Sequence, residues 1–430
     1  ARDLSNLVAP PYDVISPSER LELMARSPHN VVRLILPDGE GDAKYAHAAG
    51  LLAAWRKEGV LVRDEQAAFY RYDQSFEPPG GGARRTRSGF LALVRVVPFS
   101  DRVVLPHERT LAGPKEDRLK LFRATRTNLS PGFMLYRDPK RVLDAPLATA
   151  EEIAKFATPD RVEHRIAKVT GPEAIRSIVE HIGKSPLLIA DGHHRYETAL
   201  YYSQELDAGE AAAPRPYLPR PEHRHFMSFL CNGDDPDLVV FATHRLVHSL
   251  PGFDWDEFTR KAGDLFEVEP LSGDLASAEA ELASAGRSAN AFLAIAKSEG
   301  GPKKGNRMAL LTLRSGADLA AHPTLGQRPA VVRATDVAIL HSGILEHLLG
   351  ISLEAQVKKT NLVYLQDPKQ GIADLEKGAG QILFLMNPTP VSQVREVAEA
   401  GEVMPQKSTY FYPKVLTGLA IHTLDPYRAV

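Results

Sequence analysis

The chain of 430 residues holds one cysteine, Cys231, and two tryptophans. A single cysteine excludes an intrachain disulfide and any multi-cysteine metal centre, and Cys231 itself reads as a small buried hydrophobe. No apolar run is long enough to span a bilayer, and no signal peptide is recognisable, so the expected compartment is the cytoplasm. The chain opens at Ala1 rather than a methionine, so a short N-terminal extension is expected ahead of it. Charge of one sign is also lacking: 52 basic residues against 54 acidic ones leave a net charge of −2. Such a balance argues against a nucleic-acid partner, and the basic run Arg84-Arg85-Thr86-Arg87 reads as a solvated loop. Four familiar signatures are missing: the Gly-x-x-x-x-Gly-Lys phosphate loop, the Gly-x-Gly-x-x-Gly turn, the His-Glu-x-x-His zinc helix and the Gly-x-Ser-x-Gly elbow.

What is present is enough apolar residue, 43%, for substantial cores in two or three domains. Helical spacing is predicted over 42–58, 117–122, 149–157, 173–182, 255–266, 274–284 and 335–349. Strand-like runs fall at 68–72, 89–96, 133–136, 187–189, 226–231, 238–242, 291–296 and 307–313. Runs near 363, 382–385 and 410–411 continue the alternation. The fold class is therefore α/β to α+β with mixed sheets. Three regions are expected: an N-terminal α+β region (1–165) with a long β-hairpin, a central region (166–334) and a C-terminal α/β region (335–430). The proline-rich stretch 210–225 reads as a lid or a surface excursion.

The most informative residues are Asp191-Gly192-His193-His194-Arg195. They follow the apolar run Leu187-Leu188-Ile189 and open a helical pattern, so a glycine sits at a strand-to-helix turn with two histidines and an arginine in the first turn. First-turn amides, the helix dipole and an arginine fork all favour a bound anion. The alternative is a glycine turn whose exposed helix start is merely basic. The histidines 193, 194, 223 and 225 with Asp191 match no zinc spacing.

Other clusters carry acid–base or charge chemistry. In Pro106-His107-Glu108-Arg109-Thr110, Glu108 reads as a general base or Mg²⁺ ligand, or as part of a salt-bridged loop. Asp13 reads as a base or ligand, or as an Asx-turn residue after two prolines. His244-Arg245, placed at a strand end, reads as a second phosphate contact or as core. Lys407, Ser408, Thr409 and Lys414 read as a nest for an anionic substrate, or as a packing strand flanked by solvated lysines.

The Asp-Gly-His-His-Arg turn resembles the phosphate-binding box of the ParB/sulfiredoxin superfamily, and most closely its free-serine kinases. The resemblance implies a ParB/sulfiredoxin-like core, with Gly192, His193, His194 and Arg195 on nucleotide phosphates. His193 would stand where sulfiredoxin carries its catalytic cysteine, which disfavours sulfinic acid repair here. Ala9-Pro10-Pro11-Tyr12-Asp13-Val14, Pro106–Thr110 and Met404–Lys414 together resemble one bacterial and archaeal family, domain-of-unknown-function family 1015. Its genes often lie beside serine-biosynthesis genes. These resemblances imply Mg²⁺-dependent phosphoryl transfer on a small metabolite, serine or phosphoserine first, with Asp191 and Glu108 on the metal. Asp13, Glu108, Asp191 and His193 would be the catalytic groups, and ATP, ADP or CTP the nucleotide. Kinase and phosphatase remain open. Two rivals remain beside them: a nucleotide-controlled, self-associating switch and, with the charge balance against it, a nuclease.

Overall fold

The computed structural model describes residues 3–79, 81–110, 112–212, 220–297, 306–426 and 428–430. The chain divides into two compact units. Unit 1 comprises 1–106, 110–239 and 411–430; unit 2 comprises 107–109 and 240–410.

Unit 1 is built on an eight-stranded mixed sheet. From one edge the strands run Val104–Leu105, Leu187–Asp191, Gly132–Tyr136, His225–Asn232, Arg85–Arg95, Phe69–Phe76, Glu163–Val169 and Glu151–Ala157. Two neighbour pairs are parallel, the first with the second and the third with the fourth; the rest are antiparallel. Phe90, Met134, Ile189, Tyr196, Phe226 and Leu230 anchor the main core. A second core gathers the N-terminal helices around Leu34, Leu52 and Trp55. The first of these helices, Pro17–Arg26, begins with Ser16 and Glu19 forming a reciprocal capping box.

Unit 2 holds a six-stranded antiparallel sheet in the order Phe266–Leu271, Asn306–Leu313, Ala291–Lys297, Ile382–Met386, His244–Val247 and Leu362–Leu365. Successive side chains of a strand point to opposite faces, so Phe292 and Ala294 enter one core while Leu293 and Ile295 enter another. Burial on both faces explains why these strands read as continuous apolar runs.

The mixed α/β class expected from sequence is what the chain adopts. Several details differ. Residues 151–157 form a strand, not a helix, because Ala154 and Phe156 face in while Lys155 and Ala157 face out, a period of two. The 255–266 helix stops at Ala262, where Gly263 caps it, and Phe266 opens a strand. The 335–349 helix is a short α-turn, Asp336–Ala338, followed by a π-helix over Ile339–Leu348. A boundary at 165 cuts through the strand Glu163–Val169, and the strands beyond 335 join the same sheet as 291–297. Residues 85–87 are strand rather than loop, and Arg87 is fully buried. Of the stretch 210–225, residues 213–219 lie outside the described residues; beyond them, Pro221 bridges to Ala429 and 222–224 make a 3₁₀ turn. Among the described residues, no helix is long and apolar enough to cross a membrane.

Candidate functional site

In unit 1, the strand Leu187–Asp191 is paired on both sides, and four of its five residues are buried. It holds Asp191 at a fixed position at its C-terminal end, opposite Phe133. Gly192 then turns the chain with φ +93°, a left-handed value that L side chains rarely adopt. Helix His193–Ala212 starts immediately, with the Tyr196 amide donating to the Gly192 carbonyl at 3.0 Å. Tyr196 fixes that first turn: it is buried, and its hydroxyl donates to the Val97 carbonyl at 2.9 Å.

Arg195 does not project outward as the sequence suggests. Its side chain is 7% exposed; it folds back beneath the turn, donating to the Pro131 carbonyl, with Nη2 3.6 Å from Asp191 Oδ1. A Cβ on residue 192 would lie 2.9 Å from Arg195 Nη2, so glycine is required by this return as well as by φ. Lys414 reaches the same carboxylate, with Nζ 2.9 Å from Asp191 Oδ2. One carboxylate thus faces two cations at the start of a 20-residue helix. His193 is buried and His194 half-buried in this first turn. Tyr12 lies close enough for Arg195 to act on its hydroxyl, while its ring carries the Arg118 guanidinium at 4.1 Å. The neighbouring Asp13 is exposed.

A buried clamp sets the position of Lys414. Gln74 donates to the Lys414 carbonyl at 3.0 Å, and Arg87 donates to the Pro413 carbonyl at 2.6 Å and to the Gln74 side-chain oxygen. Arg87 lies over the Phe133 ring at 4.7 Å, and its Nε and Nη1 have no hydrogen-bond partner among the described residues. Burial pushes its basicity down. Sequence reading missed both members of the clamp. The available signal was the inward alternation of positions 87, 89 and 91 along one strand.

The remaining sequence-picked residues fall in unit 2. His107 is fully buried, and Glu108 forms a parallel bridge with Met404. Glu108 Oε1 accepts the Ser408 amide at 2.9 Å and the Thr409 amide at 3.4 Å, while His107 Nε2 lies 3.0 Å from Thr409 Oγ1. The carboxylate therefore caps the 407–409 turn. His244 opens the strand His244–Val247 rather than ending one; burial first, then Arg245, drives its imidazole down to about 4. Arg245 is fully buried and donates to His341 Nε2 at 3.1 Å, the Lys407 carbonyl at 3.2 Å and the Thr243 carbonyl. His341 is thus an acceptor at Nε2, and its Nδ1 meets Gln356 Oε1 at 2.7 Å. Burial holds it neutral, down at about 3. The segment 407–414 is accordingly divided, with Lys407, Ser408 and Thr409 in unit 2 and Lys414 in unit 1.

The family model described as "Protein of unknown function (DUF1015)" matches residues 1–338. The chain belongs to that family. No curated protein matches it. Solved structures similar to this DUF1015 chain include a conserved hypothetical protein from Pyrococcus furiosus, 16% identical, covering 76% of this chain and 92% of its own, with a TM-score of 0.37. A free serine kinase in complex with AMP is 14% identical, covers 79% of this chain and 93% of its own, and has a TM-score of 0.40. SbnI with a C-terminal truncation, from Staphylococcus aureus, is 9% identical, covers 78% and 87%, and has a TM-score of 0.36.

Proposed function

We propose that this chain is a phosphoryl-transfer enzyme acting on a small metabolite, with the phosphate or nucleotide held at the 191–195 turn. The observation that carries this reading is the convergence of Lys414 and Arg195 on Asp191 at the helix start. An incoming phosphate would exchange for the Asp191 carboxylate on Lys414 and lie at the positive end of the helix dipole. Arg195 stays beneath as a fixed charge, and the buried His193 stiffens the turn. Such a cradle neutralises and positions phosphate, which is most of what phosphoryl transfer asks of a protein.

Asp191, once released from Lys414, and the exposed Asp13 are the unit 1 carboxylates available to orient an attacking hydroxyl or water. In the resting turn Asp191 faces two cations, so it would join a Mg²⁺ only after phosphate has displaced it from Lys414. Mg²⁺ would arrive on the nucleotide's own phosphates. Serine and phosphoserine are the first substrates to try, on the strength of the motif resemblance.

The test is calorimetric titration with ATP, ADP, CTP and phosphoserine, with and without Mg²⁺, on the wild type and Lys414→Ala. Lys414 is 16% exposed; with the variant's fold checked by circular dichroism, a drop in affinity of at least about tenfold is expected for a charge-assisted phosphate contact. Unchanged affinity would remove the turn as the site. Phosphorus NMR of serine with ATP, and of phosphoserine alone, separates kinase from phosphatase; nucleotide binding that alters only the oligomeric state would replace both with the switch.

A further inference from the structure

We propose that unit 2 carries an oxyanion site of its own, formed by Lys359 and Arg245 at the Tyr364 ring with Lys407 alongside, which takes the phosphate or carboxylate group of a small molecule. This site stands on unit 2 alone and does not rest on the reading of the 191–195 turn.

Antiparallel pairing places Arg245 directly opposite Tyr364, and the guanidinium lies 5.2 Å from that ring's centre. Lys359, just past the helix Leu353–Lys358, brings Nζ to 5.9 Å from the same ring. Lys407 is tied in through its carbonyl, which accepts Arg245 Nη2 at 3.2 Å. The ammonium of Lys359 is pushed below its usual basicity by partial desolvation and then by Lys407. Arg245 and Lys359 thus share the Tyr364 ring, with Lys407 the residue that Arg245 anchors, and among the described residues the carboxylate that acts on both Arg245 and Tyr364 is Glu108. That carboxylate is already engaged by the Ser408 and Thr409 amides. Two positive charges are left over, and like charges so placed repel unless an anion joins them.

Two further observations point the same way. Lys359 and Lys407 both hold left-handed backbone, at φ 57° and 59°. Such conformations are uncommon for long side chains and are found at ligand clamps. Beside Arg245, the buried Thr243 hydroxyl has no hydrogen-bond partner among the described residues. Arg245 is too deeply buried to meet a ligand itself. It supplies fixed charge beneath the ring, and the two exposed lysines supply the contacts.

The experiment uses the full chain carrying Lys414→Ala, so that the turn in unit 1 is weakened, and titrates inorganic phosphate and acetate by calorimetry at low ionic strength. Phosphate or acetate should still bind, and adding Lys359→Ala with Lys407→Ala should weaken that binding at least tenfold. Arginine at both positions should restore it. Tighter phosphate assigns a phosphate group to the ligand, and tighter acetate a carboxylate. The site is overturned if the lysine-free variant binds as well as its parent, or if the parent binds neither anion. A failure of the turn reading shows elsewhere, as equal affinity of wild type and Lys414→Ala. Because both lysines are exposed, the variants keep the fold; the 341–356 network gives a check, since its amide exchange protection should not change.

Discussion

Each unit buries one arginine completely, Arg87 in unit 1 and Arg245 in unit 2, and the two are the largest fully buried side chains described. Neither touches a carboxylate within hydrogen-bond reach. Arg245 is nevertheless satisfied: His341, Thr243, Lys407 and the Met386 sulfur accept its donors, and Gln356 holds His341 in turn. Arg87 keeps two nitrogens without a partner among the described residues and leans on the faces of Phe133 and Phe229 instead. A satisfied buried ion belongs to the architecture, whereas an unsatisfied one is tolerated for some other reason. In unit 1 that reason is the clamp on residues 413–414, through which Arg87 acts as a positioning residue for Lys414.

The difference predicts opposite responses to the same substitution. Arg245→Met leaves His341 Nε2 and two carbonyls without donors, at about 1–3 kcal/mol for each buried acceptor that stays unpaired. It should destabilise unit 2 by roughly 2–4 kcal/mol, read as urea-dependent hydrogen exchange in unit 2 peptides. A cost below about 1 kcal/mol would erase the distinction. Gly192→Ala comes next, at about 1–3 kcal/mol for a strained backbone. It would also displace Arg195, so nucleotide affinity should fall together with stability; a variant that keeps both would show that the turn relaxes freely.

Acidification separates the units more gently. His164 and His422 in unit 1, and His244 and His341 in unit 2, are depressed chiefly by burial to between about 3 and about 4. Each is neutral when folded, so its contribution is complete above the unfolded value near 6.5 and is lost as pH falls toward those folded values. Unit 2 has a counterweight in Asp336, raised by burial to about 6. Its contribution is complete below its unfolded value near 4 and is lost as pH rises through about 6. From pH ~6 down to ~4, unit 2 should therefore lose stability less steeply than unit 1, by ~1 kcal/mol per pH unit. Asp336→Asn should abolish the difference in exchange-detected stability. The smallest effect is expected from Arg87→Met. Deleting unpaired donors offsets the lost Gln74 and Pro413 bonds, so stability should change by no more than about 1 kcal/mol. Phosphate affinity should still fall, while kcat and KM respond through Lys414; an affinity equal to wild type would leave Arg87 without a positioning role.

Segments were legible from sequence where one side chain period dominated, as in 42–58 and 173–182, or where an unbroken apolar run marked a strand buried on both faces, as in 291–296. The 149–157 segment misled because Ala154 and Phe156 satisfy a strand while the flanking glutamates and lysine suit a helix equally well. The 191–195 turn was legible because glycine needs a reason and arginine near a helix start suggests one. The inward curl of Arg195 was not, since it depends on the Pro131 carbonyl some sixty residues away. Arg87 was read as solvated because a charge in a basic run normally is, and only pairing with the strands 69–76 and 225–232 buries it. The partners of Glu108 were invisible for the same reason: they lie about 300 residues later in the chain.

The division of unit 1 into separated stretches has a consequence for biosynthesis. Asp191 is in place early, but Lys414 and the Pro413 carbonyl held by Arg87 belong to the stretch 411–430, which returns only after residues 240–410 of unit 2. On the ribosome, every residue of unit 2 must be made before the first lysine can reach the first carboxylate. A chain stopped before residue 411 would carry a helix start, a buried arginine and an aspartate, but not Lys414, so the cradle proposed for phosphate requires all of unit 2 to be made first.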